Sequence, residues 1–267
     1  MKRNCGWTVT TVAVTLSLMA ALAGCKSNDA ANQNNGGSKA QGTTASAVPL
    51  DPATLGTVTG TIHLAGKPPE RVKIDMSMDP VCSMMGGDNF AEQFAVKDGK
   101  LENVYVYVKN GPPAAMSAQA PPATVVMDQV GCKYIPHVIA LMRGGSVEFR
   151  NSDGTMHNIH TMPSEGGNQP IDISQGVKGT PQVKQFNQPE VMMPVRCNNH
   201  PWMNAFINVS STPFFAVTGP DGHFNISGLP AGTYTLAAVH EKMGEQTMTV
   251  TVEPKGTVKA DFSFNVK

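Results

Sequence analysis

The chain has 267 residues, with 20 lysine and arginine residues against 20 aspartate and glutamate residues. This length fits one large domain or two small ones, and the charge balance offers no basic surface for a polyanion, so we expect no nucleic acid partner. Charged residues make up only 15% of the chain while glycine (26) and proline (20) are abundant, which favours a turn-rich β protein over a helical bundle.

The first residues have the layout of an export signal. Two basic residues precede an uncharged run, residues 8–23, that is too short to span a bilayer. The run ends in Leu22-Ala23-Gly24-Cys25, which resembles the lipobox of bacterial lipoproteins. That resemblance implies that residues 1–24 are a signal peptide and that Cys25 is lipidated; the alternative is an ordinary signal with an incidental cysteine. We therefore expect a protein of the cell envelope, lipid-anchored to a membrane, with its domains in the periplasm or the extracellular space.

Residues 25–53 are predicted to form a flexible linker. They are mostly Asn, Gln, Gly, Ser, Ala and Thr, which cannot bury enough apolar surface to become ordered. Such a linker is long enough to hold a domain away from a membrane surface.

Short alternating apolar runs fill the rest of the chain. Turn sequences such as Lys97-Asp98-Gly99 and Pro220-Asp221-Gly222 separate them, and no stretch keeps a helical period over three turns. The pattern predicts an all-β protein of one or two β-sandwiches. The predicted strands are 57–64, 104–108, 124–127, 147–149, 205–209, 214–217, 234–238 and 247–252.

Three cysteines remain after export and lipidation. The simplest arrangement pairs Cys82 with Cys132 in a disulfide and leaves Cys197 as a thiol that metal ligation protects. Two alternatives stay open. The methionine-rich stretch 76–85 around Cys82 could bind a second, Cu(I) ion, although methionine often only fills cores. Cys132 could also form a metal pair with His137.

Two short segments together offer a set of metal ligands. Cys197-Asn198-Asn199-His200-Pro201-Trp202-Met203 places a thiol, an imidazole and a thioether within one loop, and His157 follows a strand and an Asp-Gly turn. Two histidines, one cysteine and one methionine are the ligands of a trigonal copper site with a long axial bond, and they suit zinc or calcium poorly. The pattern predicts one bound copper ion.

Residues 123–210 resemble the blue copper proteins, or cupredoxins, most closely the amicyanin type. The resemblance lies in the Cys-x-x-His-Pro-aromatic-Met loop and in Gly144–Asn151, which is similar to a strand of that family. It implies a Greek-key β-sandwich and a role for Asn158 in joining the two ligand loops. Pro189, Met192, Met193 and Pro194 depart from the family by interrupting the expected strand before the cysteine. The ligands that the resemblance implies for one type 1 copper are His157, Cys197, His200 and Met203.

The same resemblance implies a carrier of single electrons rather than an enzyme. It places the edge of His200 at the surface, so a redox protein partner is expected to dock near His200 and Trp202. His160 is expected to be a bystander, because alternation along an extended chain turns it away from His157.

The flanking residues resemble carboxypeptidase regulatory-like (transthyretin-like) modules. Residues 56–69 are similar to the first strand and 213–264 to the remainder, most strongly 217–226 and 228–236. The split implies that the cupredoxin domain is inserted within a second sandwich built from 54–122 and 211–267. This module is expected to be a scaffold, with glycan binding as the alternative.

Two other functions remain open at this point. One is copper storage, delivery or sensing, which only the methionine-rich stretch supports. The other is a metal-free envelope protein for adhesion or carbohydrate binding, although the presence of all four ligands argues against it.

Overall fold

The computed structural model describes residues 50–85, 87 and 89–266. The predicted signal peptide, Cys25 and most of the predicted linker lie outside the described residues. The described residues belong to one compact unit, Ala45–Lys267. Within them, no helix is long and apolar enough to cross a membrane.

Strands dominate the described residues, so the predicted all-β class is confirmed. A 3-10 helix spans Pro52–Thr54, and two short α-helices are α1 (Pro80–Met84) and α2 (Pro113–Met116). The strands are β1 (Gly56–Ala65), β2 (Val96–Lys97), β3 (Lys100–Leu101), β4 (Tyr105–Asn110), β5 (Thr124–Gln129), β6 (Tyr134–Ile135), β7 (Val138–Met142), β8 (Ser146–Asn151), β9 (His157–Thr161), β10 (Asp172–Gln175), β11 (Gln182–Gln185), β12 (Glu190–Arg196), β13 (Asn204–Ser210), β14 (Phe215–Val217), β15 (His223–Leu229), β16 (Gly232–His240), β17 (Gly244–Val252), β18 (Thr257–Lys259) and β19 (Phe262–Asn265).

The first sandwich, here called the outer sandwich, joins strands from both ends of the described chain. One sheet has the order β15-β1-β3-β2, with β18 and β19 also paired to β1, and the facing sheet has the order β14-β4-β16-β17. Every second residue of β1 is buried, as its alternating sequence predicts. The core between the sheets includes Val58, Ile62, Val106, Phe224, Leu236 and Phe262.

Strand β1 is the centre of the outer sandwich because it pairs with four other strands. It runs antiparallel to β15 and β3 and parallel to β18 and β19. A Cβ atom on Gly60 would lie 2.0 Å from the carbonyl oxygen of Ala260, so this close approach requires glycine. The predicted Asp-Gly turn joins β2 to β3, with positive φ at Asp98 (52°) and Gly99 (71°).

The second sandwich, here called the inner sandwich, is formed by strands between residues 124 and 210. One sheet has the order β10-β9-β12-β13-β7 and the other the order β11-β8-β5-β6. Its core includes Met127, Phe149, Ile159, Val195 and Ile207. The interruption expected before Cys197 is a bulge within a continuous strand, because Met192 adopts a φ of 51° and donates its backbone N–H to the side chain of Asn208 (2.7 Å).

A segment from the outer flank covers one end of the inner sandwich. This segment, residues 73–89 and here called the cap, lies within the range 54–122 predicted for the outer sandwich, yet its Met76 and Cys82 pack in the inner core. Helix α1 begins after Asp79, whose carboxylate caps the backbone N–H groups of Val81 and Cys82. The predicted disulfide between Cys82 and Cys132 is confirmed, with a Cα–Cα distance of 5.7 Å. It fastens the cap to the loop before β6.

Candidate metal centre

Three of the four predicted ligands converge at the capped end of the inner sandwich. The Nδ1 atoms of His157 and His200 are 2.9 Å apart, and the Cys197 Sγ lies 3.5 Å from the His200 Nδ1. The three side chains are buried, and their ligating atoms all lie within 4.8 Å of one another. Residues from separate loops therefore form one compact group of two nitrogens and one sulfur.

The loop between β12 and β13 closes on itself to present this group. The backbone N–H of Met203 donates to the carbonyl of His200 (2.9 Å), and that of Cys197 donates to the carbonyl of Met203 (3.3 Å). Met203, the fourth predicted ligand, is 1% exposed and belongs to the same core as Cys197. A short turn between antiparallel strands thus holds the backbone of Cys197, His200 and Met203 together.

Asn158 connects the two ligand loops. Its backbone N–H points at the Cys197 Sγ (N–S distance 3.4 Å), and its side-chain oxygen accepts the backbone N–H of Asn198 (3.3 Å). Its amide nitrogen donates to Asp172 (2.8 Å), which fixes the orientation of the side chain. A hydrogen bond to sulfur stabilises the thiolate over the thiol.

Each imidazole also contacts a carboxylate on its far side. The His157 Nε2 lies 2.8 Å from Asp153 Oδ2, and the His200 Nε2 lies 3.1 Å from Asp79 Oδ2. Asp153 belongs to the turn before β9, whereas Asp79 comes from the cap. The sequence motifs did not identify these two carboxylates. Asp153 lies four residues before His157, a local signal that could have been noticed, but nothing in the sequence brings Asp79 to His200.

The electrostatics of the group favour a thiolate beside an imidazolium when no metal is bound. Burial alone would raise the pKa of Cys197, but hydrogen bonds from His157 and from the Asn158 backbone lower it to about 7. Burial alone would lower the pKa of His157, yet its contacts with Asp153 and Cys197 raise it to about 9. Burial likewise opposes ionisation of Asp79, while hydrogen bonds from Cys82 and His200 lower the pKa of its carboxyl to about 2.

The expectation that the edge of His200 reaches the surface is wrong for this chain. His200 is only 3% exposed, because the cap places Asp79 and the Cys82 sulfur against its Nε2 atom. Trp202 is half-buried and donates its indole N–H to the carbonyl of Cys132 (3.1 Å). The surface above His200 is therefore made by the cap and not by the ring.

The remaining candidates lie outside this group. His160 contacts the Asn198 side chain (2.9 Å), and His137 faces Glu241 (2.6 Å). The disulfide occupies both Cys82 and Cys132, so neither is free to bind a metal as a thiolate. In the methionine-rich stretch, Met76 is buried while Met78 and Met84 are exposed.

Comparison with known proteins gives one family match and several structural similarities. A model of the carboxypeptidase regulatory-like domain matches residues 196–265, which begins before the predicted boundary at 211 and includes β13 of the inner sandwich. No curated protein matches the chain.

Three solved structures illustrate the structural similarities. A Cu-containing nitrite reductase from Thermus scotoductus is 24% identical with a TM-score of 0.30; the match covers 34% of this chain but only 23% of the reductase. A reduced amicyanin variant is 20% identical with a TM-score of 0.30, over 39% of this chain and 98% of amicyanin. A purple cupredoxin from Nitrosopumilus maritimus is 21% identical with a TM-score of 0.27, over 33% of this chain and 99% of that protein.

Proposed function

We propose that this protein is a membrane-anchored electron carrier that binds one type 1 copper ion. The observation that supports this proposal is the convergence of two imidazole nitrogens on a buried cysteine sulfur. The proposed ligands are His157, Cys197, His200 and Met203.

The donor set fits copper on chemical grounds. Both Nε2 atoms face carboxylate oxygens, which accept hydrogen bonds, so each neutral ring carries its proton on Nε2 and directs an Nδ1 lone pair towards Cys197. Two nitrogen lone pairs and a sulfur within a few ångströms of one another form a group that a metal cation can fill. A thiolate with two imidazoles suits copper in both of its oxidation states, and the thioether of the buried Met203 is the proposed fourth ligand.

The protein's own residues prepare this site for electron exchange. A bound copper ion would supply a centre that gains or loses one electron. Asn158 and the two carboxylates hold the ligands in place in a packed core, so little rearrangement accompanies each transfer. The four proposed ligands are each no more than 4% exposed, which favours electron exchange over direct contact with a substrate.

The proposal extends to anchoring and partner. Lipidation of Cys25 would tether the protein to a membrane of the cell envelope, with the linker holding both sandwiches away from the surface. A redox protein partner is proposed to dock over His200 and Trp202, on the surface that the cap provides. An intermolecular contact of this kind is typically small and transient.

Visible absorption of the copper-loaded protein tests the function. The wild type is expected to show an intense thiolate-to-Cu(II) band and reversible voltammetry. Cys197→Ser should abolish the band even if metal still binds. His160→Gln, which changes a nearby imidazole outside the group, is the matched control and should keep it. A copper-loaded wild type without this band contradicts the proposal.

Copper storage or delivery is the second candidate function. The observation that favours it is the exposure of the Met78 and Met84 side chains, 73% and 76%, on the cap. Thioethers prefer Cu(I). A storage or delivery protein would bind Cu(I) without colour and would lose affinity when both methionines become leucine, whereas the carrier would be unaffected. A metal-free adhesion protein would bind no copper in either experiment.

A further inference from the structure

We propose that Asp79 and Asp153 are positioning residues that keep the proton of each imidazole on Nε2, so that both Nδ1 atoms face Cys197. This inference rests on the proposed function, because it assigns how the metal centre is kept ready for copper. The two carboxylates contact the imidazoles at Nε2, the ring nitrogen on the side away from Cys197. They act through the two histidines.

The carboxylate of Asp79 is held at both oxygens. Its Oδ1 accepts the backbone N–H groups of Val81 (2.7 Å) and Cys82 (3.1 Å), and its Oδ2 accepts the hydroxyl of Thr155 (2.9 Å) as well as facing His200. Helix capping alone would need only Oδ1. The second oxygen is therefore free to fix the imidazole.

Asp153 is held in the same manner from the opposite side. Its Oδ1 accepts the backbone N–H of Gly131 (2.7 Å), and its Oδ2 accepts that of Cys132 (2.8 Å) and faces the Nε2 of His157. Its side chain is only 4% exposed. A buried carboxylate with this many donors has one available orientation.

The disulfide joins these two arrangements. Cys82 donates its backbone N–H to Asp79 and Cys132 donates its own to Asp153, while their sulfurs are bonded to each other. Both carboxylates thus accept a hydrogen bond from a cysteine of the same disulfide, which links the cap to the loop before β6. Histidines from two separate loops are oriented by a single cross-linked support.

The location of the proton decides whether an imidazole can bind a metal at Nδ1. A neutral ring with its proton on Nδ1 has no lone pair there. In Asp79→Asn, an amide oxygen that keeps the two backbone contacts turns the NH₂ group towards the Nε2 of His200. That donor favours the ring form with the proton on Nδ1, which opposes metal binding.

The test measures the proton position directly by long-range ¹H–¹⁵N NMR of the full chain. The metal-free protein is studied at about pH 10.5, above the pKa of about 9 of His157, and the Cu(I)-loaded protein at about pH 7. In the wild type, both rings should carry the proton on Nε2. Asp79→Asn should move the His200 proton to Nδ1 in the metal-free protein, leave His157 unchanged, and weaken Cu(I) binding by about 10- to 100-fold.

Asp128→Asn is the matched control, because Asp128 accepts a hydrogen bond from the hydroxyl of Ser152 and contacts neither imidazole. It should leave the proton positions and the copper affinity unchanged. Asp153→Asn should shift His157 in the same sense but less, since its amide can still present oxygen to Nε2 by giving up the contact with Gly131.

Three results would overturn the proposal. They are a wild-type His157 or His200 with its proton on Nδ1, an unchanged His200 in a folded Asp79→Asn variant, and an equal loss in the Asp128→Asn control. The wild-type measurement decides the matter if the variants do not fold. Because the metal-free measurement needs no copper, the positioning role can hold or fail independently of the thiolate-to-Cu(II) band.

Discussion

Burial determines the charge of His240, at the end of β16. Its ring stacks against Phe94 and lies near Phe264, and its Nδ1 accepts the backbone N–H of Lys242 (3.2 Å). Desolvation lowers the pKa of His240 to about 4, against the opposing effect of Glu241. The folded protein therefore keeps this imidazole neutral at pH values where an unfolded chain would protonate it.

We predict that His240 makes the protein less stable in mild acid. Between about pH 6.5 and pH 4, His240 is protonated in the unfolded chain but neutral in the folded protein. The free energy of unfolding therefore falls as the pH falls. The loss should reach about 2–3 kcal/mol near pH 4.5. Urea titrations of the wild type and His240→Gln at several pH values measure it. An identical pH dependence in both proteins would contradict the prediction.

The residues of the candidate metal centre differ in how well they could be predicted from the sequence. Cys197, His200 and Met203 could be recognised because they share one short loop, and local spacing survives folding. Asp79 could not be recognised in this way, because it lies more than a hundred residues before His200 in the sequence and contacts it through the packing of the cap on the inner sandwich. The burial of His200 follows from the same long-range contact, and for that reason the resemblance gave a wrong expectation.

The cap is fastened at one covalent point, which makes its contribution measurable. Removing the disulfide in Cys82→Ser/Cys132→Ser opens a loop with a sequence separation of 50 residues. We predict a loss of about 4 kcal/mol in the free energy of unfolding, from the gain in entropy of the unfolded chain. Urea unfolding of this variant, compared with the wild type with and without reductant, provides the measurement. Equal midpoints under all conditions would contradict it.

Strand β1 makes a second prediction possible. Gly60→Ala would push a methyl group into the backbone of Ala260, because the ideal Cβ position lies 2.0 Å from its carbonyl oxygen. Since that backbone pairs with β1, we expect a destabilisation of about 3 kcal/mol or more. Gly176→Ala is the control, with no atom within 4 Å of its Cβ position. Thermal unfolding of both variants tests the difference, and equal melting temperatures would refute it.

Strands could be predicted from the sequence far better than their partners. The alternation of buried and exposed residues in a strand depends on its own sequence, so the predicted strands 57–64 and 234–238 match β1 and β16 closely. The pairing of β1 with β18 and β19 joins distant parts of the chain. The family resemblance placed 56–69 and 213–264 in one module but predicted no pairing between these strands. The cap has no alternating pattern, and the predicted disulfide between Cys82 and Cys132 was the sequence signal that placed it against the inner sandwich.

The two sandwiches are joined by a buried ionisable pair. His137 precedes β7 of the inner sandwich and Glu241 follows β16 of the outer sandwich; their side chains are 3% and 4% exposed and 2.6 Å apart. The other ring nitrogen of His137 lies 3.1 Å from the carbonyl of Asn204. Removing His137 leaves the buried Glu241 with a longer contact to Lys242 (3.9 Å), which compensates its charge less well.

We predict that His137→Leu lowers the free energy of unfolding by about 3–5 kcal/mol, because the Glu241 carboxylate remains buried. Adding Glu241→Leu should restore part of this loss. Lys109→Met, which removes the exposed ion pair with Glu245, serves as the control and should cost about 1 kcal/mol or less. Chemical denaturation of the wild type and these three variants measures the three losses in the free energy of unfolding. A cost for His137→Leu no larger than that of the control would disprove it.

The cap also determines whether the proposed metal centre can be transferred to another protein with the inner sandwich alone. Inserted domains can often be moved between proteins as self-contained cassettes, since their ends lie close together. Residues 123–210 contain all four proposed ligands, but a transplant of this range alone would leave Asp79 and Cys82 behind. Cys132 would then be an unpaired thiol beside Asp153 and His157, free to compete for the metal. A cassette that retains the native environment of the proposed metal centre has to carry the cap, residues 73–89, with it, so part of the flanking segment must be transferred together with the inner sandwich.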